Sequence, residues 1–112
     1  MEGRHQRENL NYYNKITALL DDAINKCLAR NVKVILLSPP KYYLYNDYMN
    51  HNKLIRRNDF FNKYKNNKDV FIWNYERKYE FQTKYFLNED HLNLEGSKMF
   101  TNEINNKLHE IE

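Results

Sequence analysis

The chain has 112 residues, a formal net charge of +3 and a single cysteine. That length suits one domain with a real hydrophobic core. One cysteine excludes an internal disulfide and a cysteine-rich zinc site, and charges of both signs spread along the chain describe a solvated surface better than a nucleic-acid groove.

The N-terminal stretch MEGRHQREN has no apolar segment behind its basic residues, so it does not read as a signal peptide. Taken as it stands the chain is expected in the cytosol. As a piece of a longer protein it would suit the cell envelope.

Residues 8 to 30 are expected to form one amphipathic helix. Leu10, Tyr13, Ile16, Leu20, Ile24, Cys27 and Leu28 recur at spacings of three and four. Cys27 falls on the apolar face and reads as a core thiol. Asn31 suits a left-handed stop. Next, VKVILLS over residues 32 to 38 is nearly continuous in apolar character, as a strand buried on both faces would be. It is also the longest apolar run, interrupted by Lys33, and far too short to span a membrane. Pro39 and Pro40 end it, since neither can donate to a sheet ladder.

Residues 41 to 50, KYYLYNDYMN, read as a loop or short helical turn. Residues 51 to 66 carry an imperfect apolar stripe of Leu54, Ile55, Phe60, Phe61 and Tyr64 and are expected to be helical. DVFIWN, residues 69 to 74, is a second strand, and residues 75 to 92 look irregular. A last helix is expected from Leu94 to Ile111, capped by Asn93, with Met99, Phe100, Ile104, Leu108 and Ile111 facing inward.

Helix, strand, helix, strand, helix is an α/β order with a parallel sheet. Stable sheets usually have roughly four to six strands, so two make a thin one. Either a third strand lies within residues 77 to 87, or another chain or a further segment completes the sheet. An unpaired edge also invites a second copy, so a homodimer is expected.

The chemistry-bearing stretch is YFLNEDHLNLEGSKMF, residues 85 to 100, centred on His91. In open parallel sheets chemistry gathers beyond the carboxyl ends of the strands, where this loop and the Ser38-Pro39-Pro40 turn belong. On residue pattern alone, a lone histidine before a helix is more often a capping or surface residue. A metal site built from Glu89, Asp90 and His91 with His51 or His109 is disfavoured, because adjacent residues do not converge easily on one ion. No cofactor is implied. The Lys/Arg/Tyr-rich span from Lys41 to Lys68 could stack nucleic-acid bases, but tyrosines covering a sheet edge between solvated lysines explain it more simply.

The stretch HLNLEGSKMFTNEI resembles the C-terminal signature of SGNH/GDSL-type hydrolases and their acyltransferase relatives. The bacterial branch that transfers acyl groups on cell-surface polymers is the nearest in pattern. In that branch the segment runs from an aromatic residue through an aspartate to His-Leu-Asn, two further residues, a glycine and an amphipathic helix. Phe86, Asn88, His91, Leu92, Asn93 and Gly96 stand in those places here. VKVILLSPPKYYLY is similar to the same branch's strand and proline-tyrosine loop.

The resemblance implies a three-layer α/β/α, flavodoxin-like fold with a short parallel sheet, of which residues 1 to 112 would be a truncated, C-terminal half-domain. It implies a Ser-His-Asp triad with His91 as the base, Asn93 capping the helix and Gly96 allowing close packing. Two departures stand out. Asn88 occupies the place of the orienting aspartate, with Asp90 the nearest carboxylate. No Gly-Asp-Ser occurs, and neither serine replaces it: Ser38 is followed by proline and Ser97 belongs to the last helix. The expected site residues are thus His91, Asn88 and Asp90. The expected function is that of an esterase or O-acyltransferase half-domain, inactive alone, with an acylated polysaccharide as partner. The alternative is a non-catalytic carbohydrate-binding or assembly module, with Tyr42, Tyr43, Tyr45 and Tyr48 stacking on sugars.

Overall fold

The computed structural model describes residues 10–111. The N-terminal stretch and the first two residues of the expected first helix lie outside them. The elements are α1 (Leu10–Ala29), β1 (Val34–Ser38), α2 (Tyr43–Tyr48), α3 (His51–Asn62), β2 (Val70–Asn74), a 3-10 turn (Thr83–Tyr85) and α4 (Leu94–Glu110). The protein is therefore a mixed α/β chain with one two-stranded parallel sheet, Val34 opposite Val70 and Ser38 opposite Asn74. Residues 77 to 87 form turns, not a strand. Only an isolated antiparallel bridge, Phe86 to Leu92, closes that region.

Two compact units are distinguished: residues up to Ser38 with Tyr48–Asn74, and Pro39–Asp47 with Tyr75 onward. In the first, α1 ends as its sequence suggests. Asn31 adopts φ 61°, and the amides of Asn31 and Val32 return to the carbonyls of Leu28 and Cys27. Ile24 of α1, Phe60 of α3, Tyr64 just beyond it and Val70 of β2 make the buried cluster, with Leu28, Val34, Leu36 and Phe61 packed around them. Cys27 is partly buried.

Two expectations fail here. β1 begins at Val34, where its pairing with β2 begins, and the exposed Val32 and Lys33 lie outside it. It is not buried on both faces either: Leu37 keeps 43% of its surface in water. The α1 stripe is only partly covered, since Leu10 and Leu20 are exposed while Ile24 is buried. A two-stranded sheet is too narrow to cover the flank of a twenty-residue helix.

The second unit is built on aromatic contacts. Tyr75 is buried and meets the edge of the Phe100 ring at 5.1 Å. Tyr79 meets Tyr85 edge-on at 6.0 Å. Pro40 is fully buried. Phe100 lies on the expected inner stripe of α4, whose Met99, Ile104, Leu108 and Ile111 are half-buried.

One polar group ties α1 to the end of α3. Asp21 accepts from the Tyr64 hydroxyl at 2.5 Å and from Lys63 Nζ at 2.7 Å. The Lys63 hydrogen bond, with Tyr64's, holds the Asp21 carboxyl below its ordinary value. Burial, then the bond to Asp21, pushes the Tyr64 hydroxyl up to about 12. A raised folded value means that the native state keeps a proton the unfolded chain releases. Stability is thus expected to fall as pH climbs from 10.0 towards about 12, where phenolate and carboxylate would face each other. Asp21 works in the opposite sense, and its contribution is lost as pH drops through its lowered value. Urea midpoints against pH should show both limbs. Tyr64→Phe should flatten the alkaline limb and Asp21→Asn the acid one.

Candidate functional site

The His91 loop gets its shape from the short polar side chains in its own sequence. Asn88 accepts the backbone N–H of Asp90 on its side-chain oxygen at 2.9 Å, a local turn that asparagine favours. The N–H of Leu87 donates to the His91 carbonyl at 2.9 Å, closing the loop at its base. Residues just past the two prolines hold it from outside. The Tyr42 N–H donates to the Glu89 carbonyl at 3.2 Å, and Lys41 Nζ donates to the Asp90 carbonyl at 3.1 Å.

His91 is exposed, and its Nδ1 lies 3.0 Å from Asn88 Oδ1. The Asp90 N–H needs an acceptor, and that fixes which end of the Asn88 amide is oxygen. An amide oxygen cannot donate, so Nδ1 carries the hydrogen, and in the neutral ring Nε2 is then the nitrogen with the lone pair. This is the tautomer a general base needs. The Asn88 amide therefore sets the orientation and the tautomer of the ring. It supplies no negative charge to stabilise an imidazolium.

Asp90 serves differently. Its carboxylate binds Lys41 Nζ at 2.8 Å, with both side chains largely shielded. That ion pair anchors the loop. The three expected site residues thus lie within one turn: His91 presented, Asn88 orienting it, Asp90 tying it down.

Asn93 and Gly96 attach this turn to α4. Asn93 Oδ1 accepts the Gly96 N–H at 2.8 Å, capping the helix. Its Nδ2 donates to the Lys84 carbonyl at 2.7 Å, and its backbone N–H to Tyr85 O at 2.9 Å. Gly96 is buried against the Tyr85 carbonyl, which a Cβ at that position would overlap. The aromatic surroundings are continuous: Tyr42 lies 4.6 Å from Tyr43 and 5.5 Å from Phe86, and Tyr43 stacks on Phe81 at 5.5 Å.

One element escaped sequence reading. Glu80 is nearly buried and accepts from Asn46 Nδ2 at 2.9 Å and Arg77 at 2.9 Å, while its carbonyl receives the Tyr43 N–H at 3.0 Å. A buried carboxylate needs such partners. Arg77 three residues before Glu80 hinted at the pair, but nothing in the sequence pointed to Asn46. Among the described residues no group of three His, Cys, Asp or Glu side chains could hold a metal ion, and no helix is long and apolar enough to cross a membrane.

Gly96→Ala should destabilise the chain by about 1–3 kcal/mol, as overpacking does, which thermal or urea unfolding would measure. In Asn88→Ala the bias towards Nδ1–H should weaken. Imidazole nitrogen chemical shifts at alkaline pH would show this, and an unchanged tautomer ratio would contradict the assigned hydrogen bond.

No family model matches this chain, and neither a curated protein nor a solved structure does.

Proposed function

We propose that His91 is the general base of an acyl-transfer site of the SGNH type, its serine nucleophile coming from outside these 112 residues. The observation that carries the reading is the Nδ1 contact with Asn88, which in the neutral form leaves Nε2 as the acceptor on an exposed ring. The His-Leu-Asn-x-x-Gly spacing supports it, because Asn93 and Gly96 hold the histidine turn to α4.

Nε2 would take the proton from a serine Oγ as that oxygen attacks an ester carbonyl. The resulting imidazolium would return the proton to the departing alcohol oxygen, leaving an acyl-serine. In the second half Nε2 would deprotonate water, giving a free acid, or an acceptor hydroxyl, giving a new ester. Oxyanion donors would have to arrive with the serine. Because Asn88 is neutral, the imidazolium gains orientation from it but no charge stabilisation. An exchange of aspartate for asparagine at the corresponding place costs roughly 10⁴ in rate in a serine protease, where it also spoils the tautomer. Here the tautomer is kept, so the loss should be smaller. An acylated cell-surface polysaccharide is the substrate class that the resemblance suggests.

A non-catalytic sugar-binding module is the second reading. It is favoured by the Tyr43–Phe81 stack, in which Phe81 is 74% exposed. An aromatic face offered to water suits the apolar face of a sugar ring.

A fluorophosphonate probe separates the two. The isolated chain should remain unlabelled. The native polypeptide carrying these residues, in extracts of its own cell, should be labelled, and His91→Ala should abolish that labelling. Labelling of the isolated chain would sink the proposal. So would a native polypeptide inert to the probe, and polysaccharide binding that survives His91→Ala would then favour the module.

A further inference from the structure

We infer that Lys41 is a positioning residue for His91: through Asp90 it holds the Asn88 amide in the orientation that puts the hydrogen on Nδ1. Its meaning for acyl transfer rests on His91 acting as the base, whereas the coupling itself does not.

Lys41 and the His91 turn belong to the same compact unit. The lysine's backbone is fixed first. Its N–H donates to the Glu76 carbonyl at 3.2 Å, and the next two amides, of Tyr42 and Tyr43, donate to the carbonyls of Glu89 at 3.2 Å and Glu80 at 3.0 Å. Pro40, just before it, is fully buried. The ammonium lies 5.0 Å from the centre of the Tyr45 ring. A free lysine side chain loses much rotamer entropy when it is ordered. Here the stem leaves a fixed backbone and the head is shielded, with 21% of the side chain exposed.

That head binds Asp90 twice. Nζ donates to the carboxylate Oδ1 at 2.8 Å and to the backbone carbonyl at 3.1 Å. Asp90 in turn gives its N–H to Asn88 Oδ1 at 2.9 Å, and the same oxygen faces His91 Nδ1 at 3.0 Å. Lys41, Asp90, Asn88 and His91 thus stand in one line of hydrogen bonds. The Asp90 N–H is what tells the oxygen end of the Asn88 amide from its nitrogen end. With that N–H turned away, the amide can rotate and offer Nδ2 to the ring. Nδ1 would then accept, Nε2 would carry the hydrogen, and the ring could not take a proton from a serine.

An ammonium suits this task. It has three donors and no acceptor, so it can clamp a carboxylate and a carbonyl together. Bonds to charged groups are roughly twice as strong as neutral ones, and a shielded pair is screened less by salt than an exposed one. Closure of the loop does not depend on it. The Leu87 N–H still reaches the His91 carbonyl and the Tyr42 N–H the Glu89 carbonyl. Loss of the ammonium should therefore loosen the choice of amide orientation without opening the loop.

The test reads the imidazole nitrogens of the 112-residue chain by long-range proton–nitrogen correlation at alkaline pH, with His91→Gln assigning one signal among four histidines. In Lys41→Met the ratio of Nδ1–H to Nε2–H is expected to fall about threefold or more, the scale of coupling within one hydrogen-bond network. Asp90→Asn should move it the same way. Aminoethylation of Lys41→Cys, made in a Cys27→Ala background, rebuilds an ammonium of equal reach and should restore the native ratio. Urea midpoints accompany each variant. A lower midpoint with an unmoved ratio would make Lys41 a stabilising residue alone and overturns the inference. So does a fallen ratio that the rebuilt ammonium fails to restore. Should Lys41→Met not fold, Asp90→Asn decides by the same ratio. No serine is needed, so the outcome separates from the reading it extends. A fallen and restored ratio beside a native polypeptide inert to fluorophosphonate keeps the coupling and removes acyl transfer. An unmoved ratio beside labelling that His91→Ala abolishes does the reverse.

Discussion

The parallel pairing of Val34–Ser38 with Val70–Asn74 is the constraint on which the other features depend. Parallel neighbours cannot be joined by a tight turn, so the chain must make a long crossover before its second strand. That crossover contains α3, and Phe60 and Tyr64 near its end reach the same strand face that α1 covers with Ile24. The cluster is small. At its border Asp21 accepts hydrogen bonds from Tyr64 and Lys63, which joins α1 to the end of α3.

The His91 turn answers a different constraint. A loop that presents an imidazole to water must be rigid without burying the ring. Rigidity comes from main-chain and short side-chain bonds. Asn88 serves twice through one oxygen, accepting the Asp90 N–H and facing His91 Nδ1. An aspartate would accept both bonds and add charge, whereas the amide gives the geometry alone. Asp90, the nearest carboxylate, is held by Lys41. Charge placed near the histidine is thus spent on anchoring the loop to residues just past the prolines.

Much of the fold was legible because it was written in periodicity. The spacing of Ile24 and Leu28, the proline pair after β1 and the asparagine caps at 31 and 93 all describe local physics, and local physics was enough. Element ends were less legible. Val32 and Lys33 continue an apolar-looking run yet lie outside β1, since a ladder extends only as far as its partner does. Burial failed most clearly at Leu20 and Leu37. Composition says that such residues want cover, but only the sheet order shows that none of the described residues supplies it. At the site, the cap made by Asn93 could be read from its place before a helix, whereas the close packing at Gly96 came only with the family resemblance. The tautomer of His91 could not, because it depends on which amide atom the Asp90 N–H selects. The Asn46–Glu80 contact was equally hidden, being a pairing of residues far apart in sequence.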